Sequence, residues 1–269
     1  MGGRPRFGAY LRDLWKRRAF IWTFARARVD AAYSANRLGQ LWQVLTPLLQ
    51  TFIYFVIFGV LLQTSRGVTN YLAFLTIGVF IFGYTSSSVN AGARSISGNL
   101  GLVRALHFPR AVLPLASTLQ QFLTLGYSMI VMVSVVLIMG EPLTWWWFLL
   151  PAVLAIQSMF NTGLAMAVAR MGSNARDINQ ILPFLIRLWF YLSGVLYSIQ
   201  VFTERFPQWI TNLMYVNPAA VYIELTRDLL MDSYQSLPWA WAIGAAWALV
   251  ILPLGFVYFW RAEATYGRG

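Results

Sequence analysis

Residues 177–218 read DINQILPFLIRLWFYLSGVLYSIQVFTERFPQWITNLMYVNP. The first half is an apolar run of bilayer-crossing length that closes on Tyr191-Leu192-Ser193-Gly194-Val195-Leu196-Tyr197. The second half carries Phe206-Pro207 and then Asn217-Pro218, where proline forces a break. Residues 200–238 are too many for a turn and too amphipathic for another crossing. They read as two short helices, 206–215 and 222–231, folded back around Asn217-Pro218. In the second of these, Glu224, Arg227 and Asp228 stand at i, i+3 and i+4 on one face, where they either pair or form an ordinary solvated surface.

The rest of the chain is of the same kind. With 58% hydrophobic and 11% charged residues over 269 positions, there is too little polar surface to cover a soluble domain of this size. Six stretches are long and apolar enough to span a bilayer: 41–62, 71–89, 113–139, 146–169, 181–199 and 239–260. An even count puts both termini on one side. That side then holds 16 of the 20 Lys and Arg residues, against Arg66, Arg205 and Arg227 on the other, with Arg187 inside the fifth span. Such an imbalance predicts cytoplasmic termini, and it assigns the net charge of +11 to membrane orientation and not to nucleic acid. Trp145, Trp146, Trp147 and Trp239 fall at outer headgroup level, and Trp42 and Trp260 at the inner one. No cleavable signal is expected, because the first long apolar run begins only near Leu41. Residues 10–29 instead read as a helix lying on the membrane, with Leu11, Leu14, Trp15, Ile21, Trp22, Ala25 and Val29 near one face and Arg18 interrupting it. That helix serves either as a basic anchor on anionic lipid or as a mechanical part of a gate.

Catalytic chemistry is nearly excluded. His107 is the single histidine and cysteine is absent, so neither a His-rich metal site nor a thiolate site can be built from one chain. No carboxylate falls within the predicted spans, which argues against a proton-coupled carrier. The one lysine, Lys16, lies between Trp15 and Arg17, so the phosphate-binding loop ending Gly-Lys-Ser/Thr is impossible. Any ATP-driven step needs another polypeptide.

Four blocks carry a resemblance. Residues 32–50 read AYSANRLGQLWQVLTPLLQ, with the pattern Leu-Gly-x-Leu-Trp-x-x-x-x-Pro ahead of the first span. Residues 70–75 with Gly78 follow, then 99–110 with Leu113-Pro114, then 177–218. In this order, over roughly residues 20–230, the chain resembles the ABC-2 type permeases that export polysaccharides, O-antigens and teichoic acids. The resemblance implies an all-α integral membrane fold of six transmembrane helices, an N-terminal amphipathic interface helix and a short re-entrant helix pair before the last span. It also implies a homodimer in the bacterial plasma (inner) membrane above two copies of an ABC ATPase subunit. The domains would be a cytoplasmic N-terminus (1–40), a transmembrane domain (41–260) with a coupling loop (94–110) and outer gate helices (200–238), and a cytoplasmic tail (261–269). ATP and Mg would sit on the partner subunit, with no cofactor in this chain. The substrate would be a lipid-linked polysaccharide. A drug, haem or lipid exporter of the same family is the first alternative, and an integral-membrane glycosyl- or acyltransferase the second, although no acid/base group for a transferase is evident. A composition rich in Ala, Arg and Trp with one lysine is that of a high-GC bacterium, which makes an actinobacterial galactan a candidate glycan.

Site residues follow. The substrate path, lined in the resembling family by the first and fifth spans, would include Tyr54, Phe55, Tyr191 and Tyr197, whose rings suit sugars; the hydroxyls of the three tyrosines also need polar company in lipid. Arg187 would be costly unpaired at that depth, so it should face the bundle interior, a water-filled path or a headgroup. It would either touch a pyrophosphate-linked substrate or pair with helix carbonyls. Asn99, Leu100, Val103, Arg104, His107 and Phe108 would couple to the ATPase by docking an amphipathic turn into its groove, or merely fix topology. Tyr222, Glu224, Arg227 and Asp228 would belong to the outer gate.

Overall fold

The computed structural model describes residues 6–34, 41–63, 68–106, 108–175, 177–200 and 207–266; Arg66, His107 and Arg205 lie outside them. The regular elements among the described residues are all helices. This follows from the apolar runs, because a helix satisfies every backbone N–H and C=O within its own segment where no water can do so.

Two helices precede the spans, α1 (Phe7–Lys16) and α2 (Arg18–Ser34). Next come α3 (Leu41–Tyr54), which widens into a π-helical stretch over Phe55–Leu61, and α4 (Tyr71–Arg94). A short α5 (Leu100–Ala105) leads to α6 (Val112–Ile138), and a 3-10 turn at Trp145–Leu149 opens α7 (Leu150–Asn174). The chain ends with α8 (Ile178–Leu192), α9 (Gln208–Val216), α10 (Pro218–Leu230) and α11 (Ala240–Arg261).

Five segments have the length and hydropathy of a full span: Val44–Leu61, Tyr71–Arg94, Val112–Ile138, Trp145–Asn174 and Ala240–Arg261. The fifth predicted crossing, 181–199, differs. Its helix α8 has 15 residues and stops at Leu192, a rise of about 22 Å against a hydrocarbon core of about 30 Å. Gly194 takes φ +63, a left-handed turn natural to glycine, inside a run that hydropathy alone reads as continuous. The Tyr71 hydroxyl then holds the returning chain by donating to the Leu196 carbonyl at 2.8 Å. Among the described residues there are therefore five helices of full-span length and one short apolar one.

The helix α4 is the axis of the bundle. Its span is 78% buried, that of α3 only 6%, so α3 is a wall laid against the bundle and α4 its centre. The helices α3, α6, α7, α8 and α10 all pack on α4. The crossing of α7 with α11 is the closest: a Cβ on Gly255 would fall on the Gly163 carbonyl, and one on Gly163 on the Ile251 backbone, so only glycine fits at either place.

The first helix, α1, and the end of α11 lie at one end of the bundle. Phe7 of α1 meets Trp260 of α11 edge to face at 5.2 Å, and a second small core there joins Tyr10, Ile96, Val103, Leu113, Phe259 and Tyr266. The single surface helix expected over 10–29 is two helices. Arg18 donates to the Trp15 carbonyl at 3.2 Å and lies over the Trp15 ring, satisfying the end of α1 and letting α2 start afresh. The apolar stripe is thereby divided: Ala25 and Val29 are buried, whereas Trp15 and Trp22 stay exposed.

Candidate functional site

The residues expected to line a path divide into an exposed face and a buried neighbour. Tyr54 at the end of α3 is half-buried, with its ring 5.3 Å from Phe190 of α8. Phe190 in turn meets Tyr191 at 5.4 Å and Phe82 of α4 at 5.3 Å. Arg187 and Tyr191 stand one turn apart on α8 and are both exposed, flanking the Phe190 on which the Tyr54 ring packs. Tyr54, Arg187 and Tyr191 thus form one cluster on the outer surface of this subunit. Tyr197 adjoins it by donating to the Tyr191 carbonyl at 2.9 Å. Phe55, the next residue on the chain, is half-buried: its ring edge would lie 3.2 Å from a Cβ on Gly59, and like Tyr54 it packs against the main core. Around the cluster α3 and α8 expose Leu49, Phe52, Ile53, Phe184, Leu185 and Leu188, a broad apolar surface with polar groups at its middle.

At the end of the bundle away from the termini, Arg227 is 0% exposed. Its guanidinium has five N–H donors, and five hydrogen bonds use them: two to Phe74 O (3.4 and 3.2 Å), and one each to Gly194 O (2.9 Å), Val195 O (3.0 Å) and Glu224 Oε1 (3.3 Å). The Phe74 ring also lies under it at 3.3 Å. Glu224 is buried too, and its other oxygen accepts from the Tyr234 hydroxyl. Of the two readings of Glu224 and Arg227, pairing holds and a solvated face does not: the pair is internal, and it ties α10 to the start of α4 and to the Gly194 turn. Asp228 leaves the group and accepts from Ser236 at 2.7 Å. Tyr222, fully buried, donates to Gly244 O of α11 at 2.9 Å.

The Asn217-Pro218 break is built for its place. Asn217 caps α10 by accepting from Ala219 N–H at 3.1 Å, and Pro218 occupies the first helical position, which needs no N–H. The same side chain accepts from Trp189 Nε1 at 2.8 Å and donates to Leu192 O and Ser193 Oγ, joining the end of α8 to the start of α10.

At the terminal end, the expected coupling residues point in different directions. Arg104 is exposed on α5, with Leu106 exposed beyond it. Val103 is buried in the small terminal core, Leu100 is half-buried, and Phe108 packs half-buried 6.4 Å from the Phe20 ring of α2. Asn99 faces inward, accepting from Arg28 Nη2 at 2.7 Å.

Sequence reasoning passed over Glu263. One oxygen accepts from the Arg110 backbone N–H at 2.8 Å and the other from the Tyr10 hydroxyl at 2.8 Å, while Tyr10 Oη accepts from Ala111 N–H at 3.1 Å. The tail, the loop and α1 meet at this carboxyl. Burial holds it above the usual carboxylate range, against the opposing pull of those donors. Its signal in the sequence was that it is the one acidic residue after the last span.

Comparison with known proteins agrees with this architecture. Residues 19–231 match the ABC-2 type transporter family. The chain is 26% identical to the O-antigen export system permease protein RfbA of Myxococcus xanthus over 95% of its length and 94% of the relative's. It is 30% identical to the protein of the same name from Klebsiella pneumoniae, over 74% and 75%. Identity to the polysialic acid transport protein KpsM of Escherichia coli is 26%, over 88% and 91%. The chain therefore belongs to the ABC-2 type transporter family, as a membrane-spanning transport subunit that works with an ATPase partner and is not itself an enzyme.

Proposed function

We propose that this chain is the permease of an ATP-driven exporter that moves a lipid-linked polysaccharide outward across a bacterial inner membrane. The observation that carries the reading is the Tyr54–Arg187–Tyr191 cluster on the apolar α3–α8 face. A cation and tyrosine hydroxyls have no reason to be presented to lipid, but they suit a conduit wall that meets both phosphate and sugar. The relatives named for O-antigen and polysialic acid transport support a glycan over a drug or haem. In this reading two copies of the chain bring their α3–α8 faces together around the path, and two ATPase subunits bind ATP and Mg at the terminal end. That end carries the bulk of the positive charge and is cytoplasmic. The exposed Arg104 and Leu106 meet the ATPase, and α9 with α10 closes the outer end.

The test is the position of the lipid-linked polymer in cells lacking this chain. Polymer should accumulate on the cytoplasmic side and return to the surface when the chain is supplied with its ATPase. Normal surface polymer without the chain would sink the reading.

A further inference from the structure

Two adjoining cavities run along one side of α4. The first, about 430 Å³, lies between α3, α4 and α6 and is lined by Trp42, Thr46, Gln50, Tyr84, Gln121 and Thr124 among others. The second, about 730 Å³, continues toward the termini and is lined by Arg28, Asn90, Arg94, Asn99, Ser117 and Gln120 among others. Ser87 and Gln121 line both, so the two form one groove. From Val79 to Arg94 it follows 16 residues of α4, a rise of about 22 Å.

The polar residues of this groove are placed by helical spacing. On α6, Ser117, Gln121, Thr124 and Ser128 stand at i, i+4, i+7 and i+11; on α4, Ser87, Asn90 and Arg94 stand at i, i+3 and i+7; on α3, Thr46 and Gln50 stand at i and i+4. Three neighbouring helices therefore turn their hydroxyl and amide stripes to one space, within segments that are otherwise apolar. In a bilayer such a space holds water or a polar ligand, because side-chain donors and acceptors facing lipid are penalised. The charges sit only at the terminal end. The guanidinium of Arg28 is fixed there by Ser117 Oγ (3.1 Å) and Asn99 Oδ1 (2.7 Å), which engage two of its five donors. Arg94 stands beside it with its Nε donating to Asn90 O at 3.4 Å. No carboxylate lines either cavity among the described residues.

We infer that this groove is the receiving site for the head of the glycan carrier: Arg28 and Arg94 hold a lipid-borne phosphate or diphosphate, and the amide and hydroxyl stripes of α4 and α6 bind the sugar attached to it. The assignment rests on the export reading above and adds to it a place where the substrate is first held. Pro183 of α8 lines the terminal cavity, and Arg187 lies one turn further along the same helix. The groove therefore opens beside the helix that carries the path cluster. A diphosphate can form charge-assisted bonds to two guanidiniums, and a row of amides and hydroxyls matches the mixed donor and acceptor character of a sugar.

The test uses the full chain co-expressed with its ATPase in lipid nanodiscs, with Thr124 replaced by a photo-crosslinking benzoylphenylalanine. The probe is a polyprenyl diphosphate carrying one N-acetylhexosamine. Labelling should occur at Thr124 and not when the crosslinker replaces Ile130, which is 67% exposed on another face of α6. Arg28→Gln and Arg94→Gln should each weaken labelling about tenfold. Arg94 is exposed and among the described residues bonds its own helix backbone alone, so its variant keeps the test valid should Arg28→Gln misfold. Gln121→Leu should weaken the sugar-bearing probe more than polyprenyl phosphate without sugar. Competition by excess phosphatidylglycerol equal to that by unlabelled probe would make this a site for bulk anionic lipid and overturn the proposal. So would unchanged labelling in both arginine variants, and in that case the export reading would survive. A wild-type complex that neither labels nor exports a glycan carrier would remove the export reading itself.

Discussion

Arg227 and Arg187 are both guanidiniums set among apolar helices, and the protein treats them in opposite ways. Arg227 is enclosed, with every N–H donor matched to an oxygen and an aromatic ring beneath it. Arg187 stands exposed on α8 beside Tyr191 and Tyr54, on a face that α3 and α8 leave uncovered. The first arrangement joins three segments that share no sequence proximity: the start of α4, the Gly194 turn and α10. The second makes no hydrogen bond or ion pair among the described residues and presents its charge at the surface. Position in a span does not decide whether an arginine is structural; the supply of carbonyls around it does.

The largest effect should come from breaking the enclosed site. Arg227→Met leaves the Glu224 carboxylate buried with only Tyr234, and strips donors from three backbone carbonyls, so stability should fall by about 3–5 kcal/mol. Arg227→Lys should do only partly better, since three donors on a point charge cannot reach the same acceptors. Thermal unfolding of the purified permease measures both. A Met variant as stable as the wild type would mean that the network does not hold the helices together.

Opening the comparison from the other side, Arg187→Gln, Tyr54→Phe and Tyr191→Phe should change stability by less than about 0.5 kcal/mol, as surface substitutions do, while polymer export at matched membrane levels falls several-fold. Tyr197→Phe should be milder, because its hydroxyl is already engaged by the Tyr191 carbonyl. Loss of folded protein in Arg187→Gln would place this arginine with Arg227 as a structural residue.

The terminal loop offers a third contrast. Arg104→Glu alters an exposed position and should reduce copurification of the ATPase without loss of stability. Phe108→Asp introduces a charge against Phe20 and the small terminal core, so it should also destabilise by about 1–3 kcal/mol. Equal behaviour of the two variants in both assays would remove the distinction.

Hydropathy placed α4, α6, α7 and α11 well, because each is a long run uninterrupted by charge. It overran α8, since a glycine turn inside apolar residues leaves no trace in hydropathy and Ser193-Gly194 is a weak signal by itself. The i, i+3 spacing of Glu224 and Arg227 was visible, but the same spacing describes a solvated pair; only the Phe74, Gly194 and Val195 carbonyls, which are remote in sequence, distinguish them. Arg18 interrupting the amphipathic stripe was legible, and its consequence, a second helix, was not. Ser117, Gln121, Thr124 and Ser128 lay in plain view at helical spacing, yet their meaning depends on the matching stripe of α4, which only packing brings opposite.

The smallest effect concerns Glu263, a buried carboxyl at the terminal end that lies outside the spans, with the guanidinium Nη1 of Arg110 4.0 Å from its Oε1. Its carboxyl is raised above its ordinary value near 4.5 in the folded chain, chiefly by burial. The sign follows directly: the folded state binds the proton more tightly than the unfolded one, so the contribution of this group is full below about 4.5 and is lost as pH rises through the folded value. Glu263→Gln imitates the protonated form. Its amide oxygen can still accept from Arg110 N–H, and the Tyr10 hydroxyl can reverse its role to accept from the amide. The variant should therefore match the wild type within about 1 kcal/mol at neutral pH and show a flatter stability profile between pH 4 and 7. Glu263→Ala, which leaves the Tyr10 hydroxyl and the Arg110 N–H without an acceptor, should be the less stable of the two. A wild-type stability that climbs across that pH range and loses the climb in Glu263→Gln would show the carboxylate to be held ionised, and would make this contact a charged clasp of the same kind as Arg227.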